Sequence, residues 1–287
     1  MYHIKLQRLY LIVSLLITLS SLPVHATKMI TVEQWFDKGY DYQINKNDYD
    51  NAILSYSKAI ELNPQYKYAY NHRGAAYISK EQYGLAMVDL NKAIQIDPNY
   101  TDAYINRGNL YLYTHQPDLA LSDFNQAIQI NQECSQAYSN RGTIYHSRGQ
   151  YDLAISDYNK AIEINPYAET YNNRANTYKS LAQYDNAISD YSQAIVLDPQ
   201  NSQIYKNRGN AFMAKNQLEQ AIADYNKAIE LNPNDAKAYY AKAIFYQHAG
   251  YNKEAMESYK LFLQAAPPDD PKMETVKRFI RGLEESI

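Results

Sequence analysis

Five arginines, Arg73, Arg107, Arg141, Arg174 and Arg208, recur along the chain about 34 residues apart. Each has a counterpart sixteen residues on: Asp89, Asp123, Asp157, Asp190 and Asp224. A planar guanidinium opposite a carboxylate forms two parallel hydrogen bonds, so these pairs have the chemistry of repeated ion bridges. The partners come and go together. Where the arginine gives way to Lys38 or Lys242, the aspartate gives way to Ser55 or Ser258. Lys58 and its counterparts do not follow the aspartate in this way, which favours a bridge between helices over a pair within one. The spacing leaves open whether each bridge closes within a copy or onto its neighbour. A row of arginines holding an acidic ligand is the competing reading.

Directly before the arginines stand His72, Asn106, Asn140, Asn173 and Asn207. On a helix they point about 100° away from the arginines. A primary amide both donates and accepts, as a peptide group does, so a row of asparagines can hold an extended backbone. The alternative is an asparagine that is solvated or bridges helices, with no ligand. Asn109, Thr143, Asn176 and Asn210 belong to the same candidate groove, as does Lys206.

Other chemistry lacks its residues. The chain contains no HExxH, no GxSxG and no phosphate loop. A single cysteine, Cys134, excludes an intramolecular disulfide and a thiolate metal cluster. His72, His115, His146 and His248 are scattered over different copies. No catalytic set, metal site or cofactor is expected. A net charge of −3 gives no basic footprint, so no nucleic-acid partner is expected either.

The elements that must position these residues follow from the period. AYSNRGTIY (137–145) returns as AYNHRGAAY, AYINRGNLY, TYNNRANTY and IYKNRGNAF. Each of seven copies opens on an aromatic: Trp35, Tyr70, Tyr104, Tyr138, Tyr171, Tyr205 or Tyr239. A Gly or Ala stands four residues on, and an aromatic three further. An alanine follows in a second helical stretch, from Ala52 in the first copy to Ala255 in the last. Spacings of three and four place the first set on one helix face. Gly and Ala at facing positions let two helices approach closely. Asn-Pro or Asp-Pro closes most copies, and Gln132 replaces the proline in the third.

This pattern resembles the tetratricopeptide repeat (TPR). The resemblance implies an all-α fold: a right-handed α-solenoid of seven TPR helix-turn-helix repeats, 32–66, 67–100, 101–134, 135–167, 168–201, 202–235 and 236–269, with a C-terminal capping helix in 270–287. It also implies that the first helices line a concave groove. There the asparagines are similar to a ladder that holds an extended peptide in some TPR domains. Lys206 and Asn210 resemble the start of a carboxylate clamp, but Ala241 departs from it. Two register slips, an added residue in INKND of the first copy and a lost residue after Pro166, are expected in loops. Phe262 replaces the alanine of other copies, which predicts that Val276, Phe279, Ile280 and Leu283 of the last helix cover it.

Residues 1–26 read differently. Lys5 and Arg8 precede an apolar run at 9–19, and Val24-His25-Ala26 suits a signal peptidase. The expectation is an exported protein, periplasmic or secreted, with 27–31 a short N-terminal segment. Membrane contact enters only through the leader, if it stays uncleaved. The functional expectation is a non-enzymatic scaffold that binds an extended peptide or protein segment. The alternative is a structural subunit that assembles a complex through its convex face or terminal repeats. Partner identity and oligomeric state are not readable.

Overall fold

The computed structural model describes residues 30–284, so the expected leader lies outside the described residues. The described chain folds into α-helices without strands, packed in consecutive pairs. The first pair is α1 (Val32–Tyr40) with α2 (Tyr49–Leu62). Next come α3 (Lys67–Ser79) with α4 (Tyr83–Ile96), and α5 (Thr101–Tyr113) with α6 (Pro117–Ile130). Helices α7 (Ser135–Ser147) and α8 (Tyr151–Ile164) precede α9 (Ala168–Ser180) and α10 (Tyr184–Leu197). The last pairs are α11 (Ser202–Ala214) with α12 (Leu218–Leu231), and α13 (Ala236–His248) with α14 (Asn252–Ala265). A single helix, α15 (Met273–Glu284), ends the array.

Each pair closes on a large side chain laid over a small one. The rings of Tyr56, Tyr158, Tyr191, Tyr225 and Tyr259, with Leu90 and Phe124 in the second and third pairs, are fully buried. A Cβ added to Gly142 would come within 2.9 Å of the Tyr158 ring, and one on Gly108 within 2.6 Å of Phe124. The small residue is therefore a seat for the ring. The second-helix alanines, Ala86 and Ala221 among them, are closed to solvent, and their carbonyls also approach the glycine.

The inner turns share one device. From the second pair on, the residue after the C-cap adopts a left-handed backbone: Glu81, His115, Gly149, Ala182, Asn216 and Gly250. The next amide donates to the carbonyl of the recurring aromatic, as Gln82 does to Tyr77 at 2.8 Å. The left-handed residue itself donates to the next carbonyl along, as Glu81 does to Ile78 at 2.8 Å. This is a Schellman cap, which satisfies the orphan carbonyls at the helix end.

The two register slips resolve differently. The extra residue of the first copy is taken up by a π-helical turn, Asp41–Asn45, that continues α1 rather than by the loop. A π-turn absorbs one residue while keeping a helix running. The lost residue removes a turn. Elsewhere Asn63, Asp97, Asn131 and Asn232 accept from the amide two residues on, at 2.9–3.2 Å. This Asx turn explains why Gln132 can replace proline. Between α8 and α9 the chain instead runs extended through Tyr167, whose hydroxyl accepts from Asn165.

Both ends of the stack are finished with different chemistry. Gln34 and Lys38 on α1, and Asp41 in the π-turn, stand where inner copies bury residues such as Ala69 and Ala76 or carry the arginine. At the other end Phe262 is buried with Val276, Ile280 and Leu283, and Phe279 packs at the margin. Such ends let a repeat array stop without exposing its core.

Candidate functional site

The arginines close within their own pair. Arg141 donates from Nε and Nη2 to the two oxygens of Asp157, both at 2.7 Å. Arg73, Arg107, Arg174 and Arg208 grip Asp89, Asp123, Asp190 and Asp224 in the same side-on geometry. The carboxylates are buried and the guanidinium groups are about one-fifth exposed. The remaining Nη1 reaches back to the preceding pair: to Ser57, Asn91, Asn125, Asn159 and Ser192 in turn. Each arginine thus joins two helices of one pair and stitches that pair to the one before it.

The flanking aromatics complete the seat. Arg141 lies over Tyr138 and Tyr145, 5.4 and 5.9 Å from the ring centres, and Arg107, Arg174 and Arg208 are bracketed alike. The hydrogen bonds they donate to Asp157 and Asp123 raise Arg141 and Arg107 above the ordinary guanidinium range. At the ends, Lys38 and Lys242 lie over rings, while Ser55 and Ser258 donate to their own helix's carbonyls. Replacing the aspartate by serine leaves no carboxylate to bury where no fork is present to meet it.

The serine and asparagine that receive Nη1 escaped sequence reasoning. Their signal was an Asp-x-Asn or Asp-x-Ser spacing in the second helices, and Ser55-x-Ser57 in the first copy. A second rule was also missed. Every buried second-helix tyrosine finds a partner on the first helix: Tyr158 with Thr143, Tyr191 with Asn176, Tyr225 with Asn210. In the first and last pairs Gln43 and Gln247 accept instead. Thr143, Asn176 and Asn210 therefore have a structural partner as well as a place on the first-helix side.

Three of the residues before the arginines bridge neighbouring first helices. Asn106 donates to Asn71 at 2.9 Å, Asn140 to Asn109 at 2.8 Å, and Asn207 to Asn172 at 3.0 Å. Asn173 accepts a long 3.5 Å bond from Asn172. His72 is packed among Phe36, Tyr40 and Tyr56, and burial lowers its pKa. Asn207 is only 8 % exposed, and Lys206 only 6 % exposed with its ammonium 2.5 Å from Asp235. Both are drawn out of the groove, Lys206 into the junction between the sixth and seventh pairs and Asn207 into that between the fifth and sixth. His146 bonds Thr177 across to the next pair at 2.9 Å.

What remains accessible on the first-helix side is an aromatic and polar trough. Tyr40 and Tyr68 are 45 % and 42 % exposed beside Phe36 and His72. Further along, a cleft of about 650 Å³ opens between α5, α7 and α9, lined by Ile105, Ser139, Asn140 and Thr170. Tyr167, 55 % exposed, stands at its edge because the turn before α9 is short. Among the described residues no group of three His, Cys, Asp or Glu is placed to hold a metal, and no helix is long and apolar enough to cross a membrane.

Family models for the TPR repeat match residues 44–80, 74–113 and 209–250. Models of the tetratricopeptide repeat match 101–134, 135–167, 168–201 and 236–269. The chain is a TPR protein. No curated protein matches it. Among solved structures, this TPR protein is similar to a tetratricopeptide repeat protein from Parabacteroides merdae, at 20 % identity and TM-score 0.61, covering 88 % of this chain and 98 % of that one. It is similar to PilW, a type IV pilus biogenesis factor, at 20 % identity and TM-score 0.68, with 74 % and 98 % covered. It is also similar to YrrB, a TPR protein with an unusual peptide-binding site, at 20 % identity and TM-score 0.54, with 66 % and 97 % covered. At these identities the likeness is one of fold. The TPR fold is of the kind that builds protein–protein interaction scaffolds.

Proposed function

We propose that this TPR protein is an exported scaffold that holds an extended segment of another protein along its first-helix trough. The observation that carries the reading is the accessible aromatic and polar surface that runs from Tyr40 and Tyr68 to the cleft beside Asn140 and Tyr167. Aromatic side chains supply contact area at low entropic cost, and amides match a backbone. Asn106, Asn109, Asn140, Asn173 and Asn176 each use part of their hydrogen-bonding capacity on neighbours and keep the rest. Residues 1–26 support export to the periplasm or beyond.

A second reading rests on the opposite face. Leu54, Leu85, Val88, Leu119 and Leu153 are each about half exposed or more on the second helices of the first four pairs. Such a stripe suits a subunit that assembles through its convex side. Asparagine-to-alanine variants do not separate the readings cleanly, since Asn140 and Asn207 also tie helices together. A photo-reactive residue at Thr143, Tyr68, Leu85 or Leu119 does, with irradiation in the native envelope or medium. Adducts from Thr143 and Tyr68 alone support the trough. Adducts confined to Leu85 and Leu119 would replace it with the convex reading.

A further inference from the structure

The trough has a chemical bias that names its occupant. Its floor is apolar and aromatic: Phe36, Tyr40, Tyr68 and His72 at the start, then Ile105 and Tyr167 at the cleft. Its margin carries Glu33, Asp37, Asp102, Glu133 and Glu169. Asp102 sits close enough to His72 and Tyr100 to act on both, Glu33 and Asp37 act on Tyr66, and Asp102, Glu133 and Glu169 line the cleft. None of the five takes part in an ion pair among the described residues. Lys67, which lies over Tyr68 and Tyr100, is already paired with Asp97.

Helix-end electrostatics accounts for only part of this. Glu33, Asp102 and Glu169 stand in first turns, where an acid is favoured. Asp37 stands beyond the first turn of α1, and Glu133 precedes α7. The charge also belongs to one stretch of the trough. Past the fifth pair, Gln203 and Lys237 stand at the register that Asp102 and Glu169 occupy.

We infer that the partner segment is cationic: an extended stretch of another protein in which lysine or arginine alternates with apolar residues. Apolar side chains lie on the rings, and the ammonium or guanidinium groups meet the unpaired carboxylates and the tyrosine faces. First helices spaced ~8–10 Å apart and an extended chain rising ~3.3 Å per residue give a segment on the order of ten residues across five pairs. This inference rests on the trough reading and adds the partner's chemistry to it.

The test is selection of a random twelve-residue peptide display library on immobilised protein, using both the full chain and the chain 27–287. The readout is the mean net charge of the enriched peptides. The wild-type protein is expected to enrich peptides at least three positive charges above the input. Neutralising the margin with Glu33→Gln, Asp37→Asn and Asp102→Asn together should abolish that bias. Neutralising three second-helix acids, Asp152→Asn, Glu219→Gln and Glu254→Gln, should leave it intact. An enriched peptide should bind at least tenfold more weakly to the margin variant, and its affinity for wild type should fall with salt.

Enrichment without a charge bias, lost in Tyr68→Ala, would overturn the cationic partner and leave the trough standing. Enrichment lost equally in both neutralised variants would reduce the effect to bulk charge and overturn the inference. No enrichment by either chain would remove both readings. Enrichment by 27–287 but not by the full chain would assign the trough to the protein's own basic and apolar N-terminal segment, and so overturn a partner in trans.

Discussion

At the scale of single residues, the Arg–Asp fork is the feature with the largest consequence. Arg141→Ala would strand Asp157 in a site that is almost closed to water, at a cost of about 3 kcal/mol. Arg141→Lys should recover less than half, because a point charge cannot make the fork and reach Asn125 together. Replacing both partners, Arg141→Met with Asp157→Leu, should lie much nearer wild type. Urea midpoints followed by helical circular dichroism give all three values, and a wild-type midpoint for Arg141→Ala would refute the role. The glycine seat makes a different prediction. Gly142→Ala should cost about 1 kcal/mol or less, since Ala175 and Ala243 occupy the same place beneath Tyr191 and Tyr259. Gly142→Leu should cost several times more, because the Tyr158 ring has nowhere to go. Thermal melts of the two variants side by side test the contrast. The Arg and Asp partners were legible because they vary together within one chain. The third bond to Asn125 was not, because Asn and Ser at that position look like any polar surface.

At the scale of elements, helix existence and pairing were readable from the period, while turn chemistry was not. Glycine marks the left-handed residue only at Gly149 and Gly250. Glu81, His115 and Ala182 hold the same backbone conformation with nothing in their side chains to announce it. A left-handed Ala costs ~1–2 kcal/mol, and glycine's extra freedom in the unfolded chain takes back ~0.4–1 kcal/mol. Ala182→Gly should therefore stabilise the protein by about 0.5–1 kcal/mol, against the usual direction of an Ala-to-Gly change. A lower urea midpoint for Ala182→Gly would show that the turn is not held as described. The π-turn in α1 was hidden for a similar reason. One added residue in INKND has the same sequence signature whether the loop or the helix absorbs it. The covering of Phe262 by α15 was readable, because an outsized side chain at an alanine position asks for a different neighbour.

At the scale of the whole molecule, the buried tyrosines set the response to alkali. Burial pushes the Tyr158 hydroxyl up to about 12, and it raises Tyr56, Tyr191, Tyr225 and Tyr259 further still. A folded-state pKa above the unfolded value of about 10 contributes fully below pH 10 and is lost as pH climbs from there through the folded value. Stability should be level from pH 7 to 9 and fall steeply beyond about pH 10. Tyrosinate absorbance should rise in two steps, with the later one coincident with loss of helical signal. A single step near pH 10 with full helicity would contradict the burial. The trough itself was only partly legible at this scale. Asparagine at a first-helix position says nothing about whether its amide faces a ligand or the next helix. Lys206 and Asn207 left the surface because Asp235 and Asn172 lie within reach, a proximity no linear pattern displays.

The stitching is uneven along the stack, and that has a dynamic consequence. Five arginines lace the first six pairs together, but Lys242 stands at the sixth-to-seventh junction, where Lys206 and Asp235 supply the charged tie. In a one-dimensional array each neighbour contact sets how readily the next unit opens. Amides of α13 to α15 should exchange with deuterium well before those of α5 to α10, and the protein should unzip from its tail. A peptide laid along the opening pairs would then grip the slow, rigid half of the ribbon while the far end breathes.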